Sequence, residues 1–159
     1  MTSLALVATD LDHTFLGADQ RPSELNTHSV FAAAEHGAAV VFATGRPLRW
    51  IDLLEVFTDV NPTVIASNGA VTYDLRNHRV ISDTPFPIDV ITDVVNDISS
   101  ELPEAKFSLE EAQRCCVEPG FDRVDHGRPV THQGPIHEFL TPDSRCLLYT
   151  SPSPRDRQK

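Results

Sequence analysis

Lysine is nearly absent from this chain: Lys106 and Lys159 are the two among 159 residues. Positive charge as a whole is scarce, with 13 Lys and Arg against 23 Asp and Glu, a formal net charge of −10. So acidic a chain lacks the basic footprint that nucleic acids and anionic membrane surfaces require. Neither is expected as a partner. Cysteine is also sparse, and three residues make no disulfide framework. Cys115 and Cys116 are adjacent, too close for an ordinary disulfide. They read as reduced thiols of a cytoplasmic protein, with Cys115 as packing rather than a nucleophile. No basic region precedes Leu4, and the first apolar stretch ends at Asp10. That excludes a signal peptide or a spanning helix there. No internal repeat is present.

Three short apolar runs each end in a polar cluster. Leu4-Ala5-Leu6-Val7-Ala8-Thr9 ends in Asp10-Leu11-Asp12-His13-Thr14. Ala39-Val40-Val41-Phe42-Ala43 ends in Thr44-Gly45-Arg46-Pro47, and Thr63-Val64-Ile65-Ala66 in Ser67-Asn68-Gly69-Ala70. Such runs read as buried strands of an α/β sheet. Between the first two, Ser23 is a candidate N-cap, and Leu25, Val30, Phe31 and Ala34 recur at helical spacing up to Gly37, a candidate C-cap. Between the last two, Pro47 suits a first helical turn, with Leu48, Ile51, Leu54, Val56 and Phe57 as the apolar face. Trp50 reads as a core contact on that helix. Strand–helix–strand–helix–strand implies right-handed parallel crossovers.

Residues 70–75 and 78–83 flank Arg76-Asn77 and predict a β-hairpin or flap. Ile88, Ile91, Val94, Val95 and Ile98 predict an amphipathic helix that Pro103 ends. Residues 106–110 predict a strand. From 111 to 144 the pattern is weak, with turns suggested at Pro119-Gly120, Gly127 and Pro142.

The chemistry concentrates at the strand ends, where open α/β sheets bind ligands. Asp10 and Asp12 stand at i and i+2, and a bend past Thr9 can aim both into one pocket. One carboxylate can attack phosphorus while the other handles a proton, and the pair can hold a divalent cation.

The motif DxDxT after a strand resembles the first motif of the haloacid dehalogenase (HAD) superfamily of phosphohydrolases. TGRP and SNGA after the next two strands resemble its Cof-type (HAD-IIB) subgroup. The likeness is tight over residues 4–74. It implies a Rossmann-like core with a parallel sheet plus an α/β cap. It implies Asp10 as nucleophile, forming an aspartyl-phosphate, and Asp12 as general acid and base. It implies Mg²⁺ as cofactor, with Asp10 and Asp12 as metal ligands, and Thr44 and Gly45 as phosphate binders. The implied partner is a small phosphorylated metabolite. Arg46 can pair with phosphate or with an acidic neighbour. Asn68 and Gly69 line the substrate side, or serve as turn chemistry alone. Thr14 braces its loop, and His13 faces solvent or the cap. His126, His132 and His137 lack compact metal spacing. A different class stays open as the alternative: a non-catalytic, receiver-like Mg²⁺-binding signalling module, which would place its acceptor Asp after the third strand.

The expected organisation is residues 1–83 as the N-terminal part of the core, 84–145 as part of a C2-type cap, and 146–159 as a non-native tail. Cys146-Leu147-Leu148-Tyr149-Thr150-Ser151-Pro152-Ser153-Pro154-Arg155-Asp156 looks like one reading frame of a transposase-type sequencing-library adapter. The family's lysine and GDxxxD-type metal motifs find no match after residue 84. The expectation is a C-terminally truncated core, an incomplete sheet left open at the first strand, and impaired phosphatase activity.

Overall fold

The computed structural model describes residues 4–111, 114–121, 130–145 and 147–150. It is an α/β structure in two compact units, Met1–Thr84 and the chain from Pro85 onward.

The first unit is built on five strands: β1 (Leu6–Asp10), β2 (Ala39–Ala43), β3 (Thr63–Ala66), β4 (Val71–Asp74) and β5 (Arg79–Asp83). They lie side by side in chain order, β1-β2-β3-β4-β5. The first three are parallel; β4 and β5 add on antiparallel. The predicted hairpin therefore does not stand apart as a flap. It extends the three parallel strands to a five-stranded sheet.

Helix α1 (Glu24–Glu35) crosses from β1 to β2. The Ser23 side chain accepts from the Asn26 N–H at 3.1 Å. At the far end Gly37, at φ +83°, lets the Ala38 N–H donate back to the Ala33 carbonyl at 3.0 Å. Leu25, expected on the apolar face, is 76% exposed. It sits in the first turn, outside the face that carries the buried Val30.

The second crossover is not an α-helix. It runs through tight 3₁₀ turns at Leu48–Trp50 and Asp52–Val60. The reason lies in the spacing: Leu48, Ile51, Leu54 and Phe57 recur every three residues, and all four are buried. A 3₁₀ turn has three residues per turn and places such residues on one line. Val56 falls off that line and is exposed.

Phe15, Phe31, Phe42 and Phe57 form an aromatic cluster in this unit, with contacting ring centroids 5.1–5.7 Å apart. The first strand has the apolar sequence of one buried on both faces, yet Leu6 is 53% exposed and Leu4 59%, in keeping with the expected open edge. Among the described residues β1 pairs on one side only, with β2. An edge strand has half the neighbours of a central one, so its apolar sequence is not matched by burial.

The second unit carries α2 (Ile88–Glu101) and a sheet in the order β8-β7-β6-β9, formed by β6 (Phe107–Glu110), β7 (Cys115–Val117), β8 (His132–Gln133) and β9 (Leu147–Thr150). Strands β7 and β9 flank β6 antiparallel, and β8 runs parallel to β7. Ile91 and Val95 of α2 pack with Phe107, Leu109, Cys116 and Ile136. Val94, expected to join them, stays partly exposed. The Glu118 carboxylate ties the layer together, accepting from the Phe107 N–H and the Ile136 N–H, both at 3.1 Å. Of the segment read as a tail, Leu147–Thr150 forms β9; Cys146 and residues 151–159 lie outside the described residues. No helix among the described residues is long and apolar enough to cross a membrane.

Candidate active site

Strand register brings the three motifs to one edge. Asp10 is in register with Ala43, and Ala43 with Ile65. The chain leaving each strand past that line carries Asp12, Thr44 to Arg46, and Ser67 to Gly69. Asp10 itself closes β1 and is exposed.

After Asp10 the backbone makes one wide turn, closed by the Leu16 N–H donating to the Leu11 carbonyl at 2.9 Å. Leu11 and Phe15 are buried and pin both ends of it. Within the turn Asp12 is extended (φ −71°, ψ 129°) and His13 is left-handed (φ 59°). His13 and Thr14 are exposed, as expected for His13. The Phe15 carbonyl accepts from Asn26 Nδ2 at 2.8 Å, which holds the turn against the start of α1.

Arg46 pairs with Asp12. Its Nε donates to Oδ2 at 2.9 Å and its Nη2 to Oδ1 at 2.5 Å, a bidentate ion pair with the side chains 13% and 37% exposed. Nη2 also donates to Gln20 Oε1. Of the two roles open to Arg46, the structure therefore shows the acidic neighbour. The Arg46 hydrogen bonds hold the Asp12 carboxyl below the usual carboxylate range, against a smaller opposing effect of burial. Asp12 is thus an ionised carboxylate here. Its carboxylate is committed to Arg46.

The β2 and β3 loops are stitched together by backbone. The Thr44 N–H donates to the Ile65 carbonyl at 2.8 Å, the Ser67 N–H to the Arg46 carbonyl at 2.8 Å, and the Asn68 N–H to the Thr44 carbonyl at 3.2 Å. Thr44 is buried, and its Oγ1 accepts from the Arg46 N–H at 3.1 Å, which leaves the hydroxyl proton to donate. A Cβ on Gly45 would lie 2.8 Å from Asn68 Oδ1, so the Asn68 side chain occupies space that any other residue at 45 would claim. Ser67, Asn68 and Gly69 all have positive φ (53°, 55° and 96°). Ser67 and Asn68, two non-glycine residues in succession with left-handed φ, carry backbone strain of the kind found at functional sites. A Cβ on Gly69 would meet nothing within 4 Å, so backbone conformation alone selects glycine there.

Asp12, Thr44, Gly45, Arg46, Asn68 and Gly69 thus form one connected assembly, with Asp10 beside it through β1 register. The residue that sequence reasoning missed is Gln20, in the loop between the turn and α1. Its contact with Arg46 spans 26 positions and follows no motif. The other candidates belong to the second unit or lie outside the described residues. Cys115 and Cys116 are buried in the second unit, and burial pushes the Cys116 thiol up. His132 and His137 are exposed, and His126 lies outside the described residues. Among the described residues no group of three His, Cys, Asp or Glu could hold a metal ion. A receiver-like module would need a carboxylate after β3, where Ser67, Asn68 and Gly69 stand.

A family model described as haloacid dehalogenase-like hydrolase matches residues 7–140. The chain belongs to that family. Its relatives include YxeH of Bacillus subtilis, provisionally named a phosphatase, 32% identical over 101 residues covering 61% of this chain and 37% of YxeH. They also include 5-amino-6-(5-phospho-D-ribitylamino)uracil phosphatase YitU of the same organism, 30% identical over 95 residues, covering 59% and 35%. The HAD-like chain thus aligns with little more than a third of the length of these curated relatives. Among solved structures, BT1666 from Bacteroides thetaiotaomicron, a HAD-superfamily phosphatase, superposes with a TM-score of 0.74 at 20% identity, over 98% of this chain and 58% of that one. That likeness establishes the HAD fold.

Proposed function

We propose that this HAD-like chain belongs to a Mg²⁺-dependent phosphomonoester hydrolase that acts on small phosphorylated metabolites through an aspartyl-phosphate. The observation that carries the reading is the assembly at one sheet edge: Asp10 in register beside Ala43, with Asp12, Thr44, Arg46 and Asn68 bonded to one another just past the same strand ends. Hydrolases of this family supply the reaction class.

In the proposed reaction an Asp10 oxygen attacks phosphorus in line, and the bond to the leaving oxygen breaks as the acyl-phosphate bond forms. Asp12 gives a proton to the leaving oxygen. It then takes one from the water that attacks the acyl-phosphate, so that an alcohol and inorganic phosphate are released, Asp10 is restored as a carboxylate and Asp12 regains the proton it gave. Proton transfer of this kind typically contributes about 10²–10⁴ in rate. The Arg46 pair suits the second step. For the first, Asp12 must carry a proton, which weakens its hold on Arg46. Thr44 donates its hydroxyl proton to a phosphoryl oxygen.

The donors at the edge are all oxygen, which fits a hard divalent cation. The Asp10 carboxylate and the main-chain carbonyl of Asp12 would hold Mg²⁺, while the Asp12 side chain stays with Arg46. Bound there, Mg²⁺ would neutralise charge between Asp10 and the phosphoryl group. The second unit, α/β in build, is read as the cap and as the source of substrate selectivity.

The test uses fluoroberyllate, a mimic of an acyl-phosphate. With Mg²⁺ the 159-residue chain should give a bound ¹⁹F signal, and Asp10→Asn should abolish it. Hydrolysis of an aryl phosphate, where it occurs, should vanish with the same substitution. Binding or turnover that survives Asp10→Asn would overturn the proposal.

A further inference from the structure

The loop from Leu16 to Pro22 is a small structure of its own. Leu16 and Pro22 pair antiparallel, the Gly17 N–H donates to the Arg21 carbonyl at 2.8 Å, and the Gln20 N–H to the Gly17 carbonyl at 3.0 Å. Asp19 Oδ1 accepts from the Arg21 N–H at 3.1 Å. At its tip Gln20 is left-handed, with φ +62°. That conformation turns the Gln20 side chain back toward the strand ends, where Oε1 accepts from Arg46 Nη2.

The donors of Arg46 can be counted. Nε has one hydrogen, which goes to Asp12. Nη2 has two, one for Asp12 Oδ1 and one for Gln20 Oε1. Nη1 makes no hydrogen bond among the described residues. A guanidinium held at one end by a carboxylate can still swing about that contact. A second acceptor off the ion-pair axis fixes its plane, since the donors of a guanidinium form a rigid fork.

We propose that Gln20 is a positioning residue: it fixes the plane of the Arg46 guanidinium on Asp12 and leaves Nη1 as the nitrogen that meets an incoming phosphoryl oxygen. The role assigned to Nη1 rests on the phosphatase reading; the docking of Arg46 by Gln20 does not. The loop carrying Gln20 thereby sets the geometry of a side chain from the β2 motif without itself touching the reacting atoms.

The experiment follows the Arg46 Nε–H in ¹H–¹⁵N spectra of the full 159-residue chain, the resonance being assigned by its loss in Arg46→Lys. Gln20→Asn is the informative change. Asparagine tolerates the left-handed backbone and keeps the amide, but it is one methylene too short. Its Nε–H should exchange with solvent at least about fivefold faster than in the parent. Gln20→Glu keeps both reach and acceptor and should hold the parent rate. A residue needed only to form the turn would show the opposite order, since Asn suits the turn better than Glu. Should Gln20→Asn disturb the backbone spectrum, Gln20→Gly takes its place, with the same expectation. Unchanged exchange in the shortened variant, or Glu behaving like Asn, overturns the proposal. Neither readout requires phosphoryl chemistry, so failure of the Asp10 test leaves this result interpretable, and the reverse holds too.

Discussion

One arginine connects three separate stretches of the first unit, because its guanidinium has donors on more than one edge. Arg46 binds Asp12 from the turn after β1 and Gln20 from the next loop, while its own backbone is tied to Thr44 and Ser67. Lysine could not do this with a single ammonium point charge. A second carboxylate illustrates the same logic where catalysis is not involved. Asp74, at the end of β4, accepts from Asn77 Nδ2 at 2.8 Å and from the Asn77 N–H at 3.0 Å, with Arg79 nearby. The Asn77 side-chain bond, before the others, lowers the Asp74 pKa. A carboxyl whose folded pKa lies below its unfolded value contributes stability above the unfolded value, about 3.9, and loses it as pH falls through the folded one. Asp74→Ala should therefore lower the melting temperature at pH 7. The gap to the parent should narrow as pH falls from about 3.9 through the lower folded pKa, where the parent carboxyl becomes protonated too. Thermal melts across pH 2 to 7 check this; a gap that stays constant would show that Asp74 acts by packing alone.

At the scale of elements, the turn after β1 is held by what it buries. Phe15 lies 5.1 Å from the Phe42 ring and 5.7 Å from Phe57, so the segment carrying Asp12 is anchored in the aromatic cluster. Phe15→Ala should cost about 3 kcal/mol or more, measured by urea unfolding. A loss below about 1 kcal/mol would mean that the turn is held from elsewhere. Much of this architecture is legible in the sequence. Strand β3 occupies the predicted residues 63–66, and the hairpin and α2 fall where turn signals and periodicity place them. Asp12, Thr44, Gly45, Arg46 and Asn68 are brought together because each follows a strand, and parallel strands end on one side. The second crossover was legible in principle: its apolar step of three is the 3₁₀ period, masked by Val56 beside it. The weakly patterned stretch after residue 110 holds strands β7 and β8, of three and two residues, too short to show alternation. Gln20 was not legible, because side-chain reach across a loop leaves no trace in spacing.

For the molecule as a whole the decisive feature is β1, which among the described residues pairs on one side only. A strand with one neighbour presents unpaired N–H and C=O groups, a template for another chain. Native edges are blunted by charge, proline or bulges. Here Leu4, Leu6 and Ala8 are exposed instead, and Asp10 carries the first charge along the strand. Net charge of −10 opposes association at long range, but its reach is about 10 Å at 0.1 M salt. Association through this edge should therefore rise with ionic strength. Leu6→Lys places a charge on the edge at a residue already half in water, so stability should change by less than about 0.5 kcal/mol. Lysine also makes the net charge less negative, which by itself would favour association. Val56→Lys, at another exposed apolar position away from the edge, makes the same change in net charge and serves as the control. Static light scattering over a concentration series at 0.1 M and 0.5 M salt should show Leu6→Lys associating less than the parent, and Val56→Lys at least as much. Equal behaviour of the two lysine variants would refer association to net charge or to another surface, and would remove β1 as its seat.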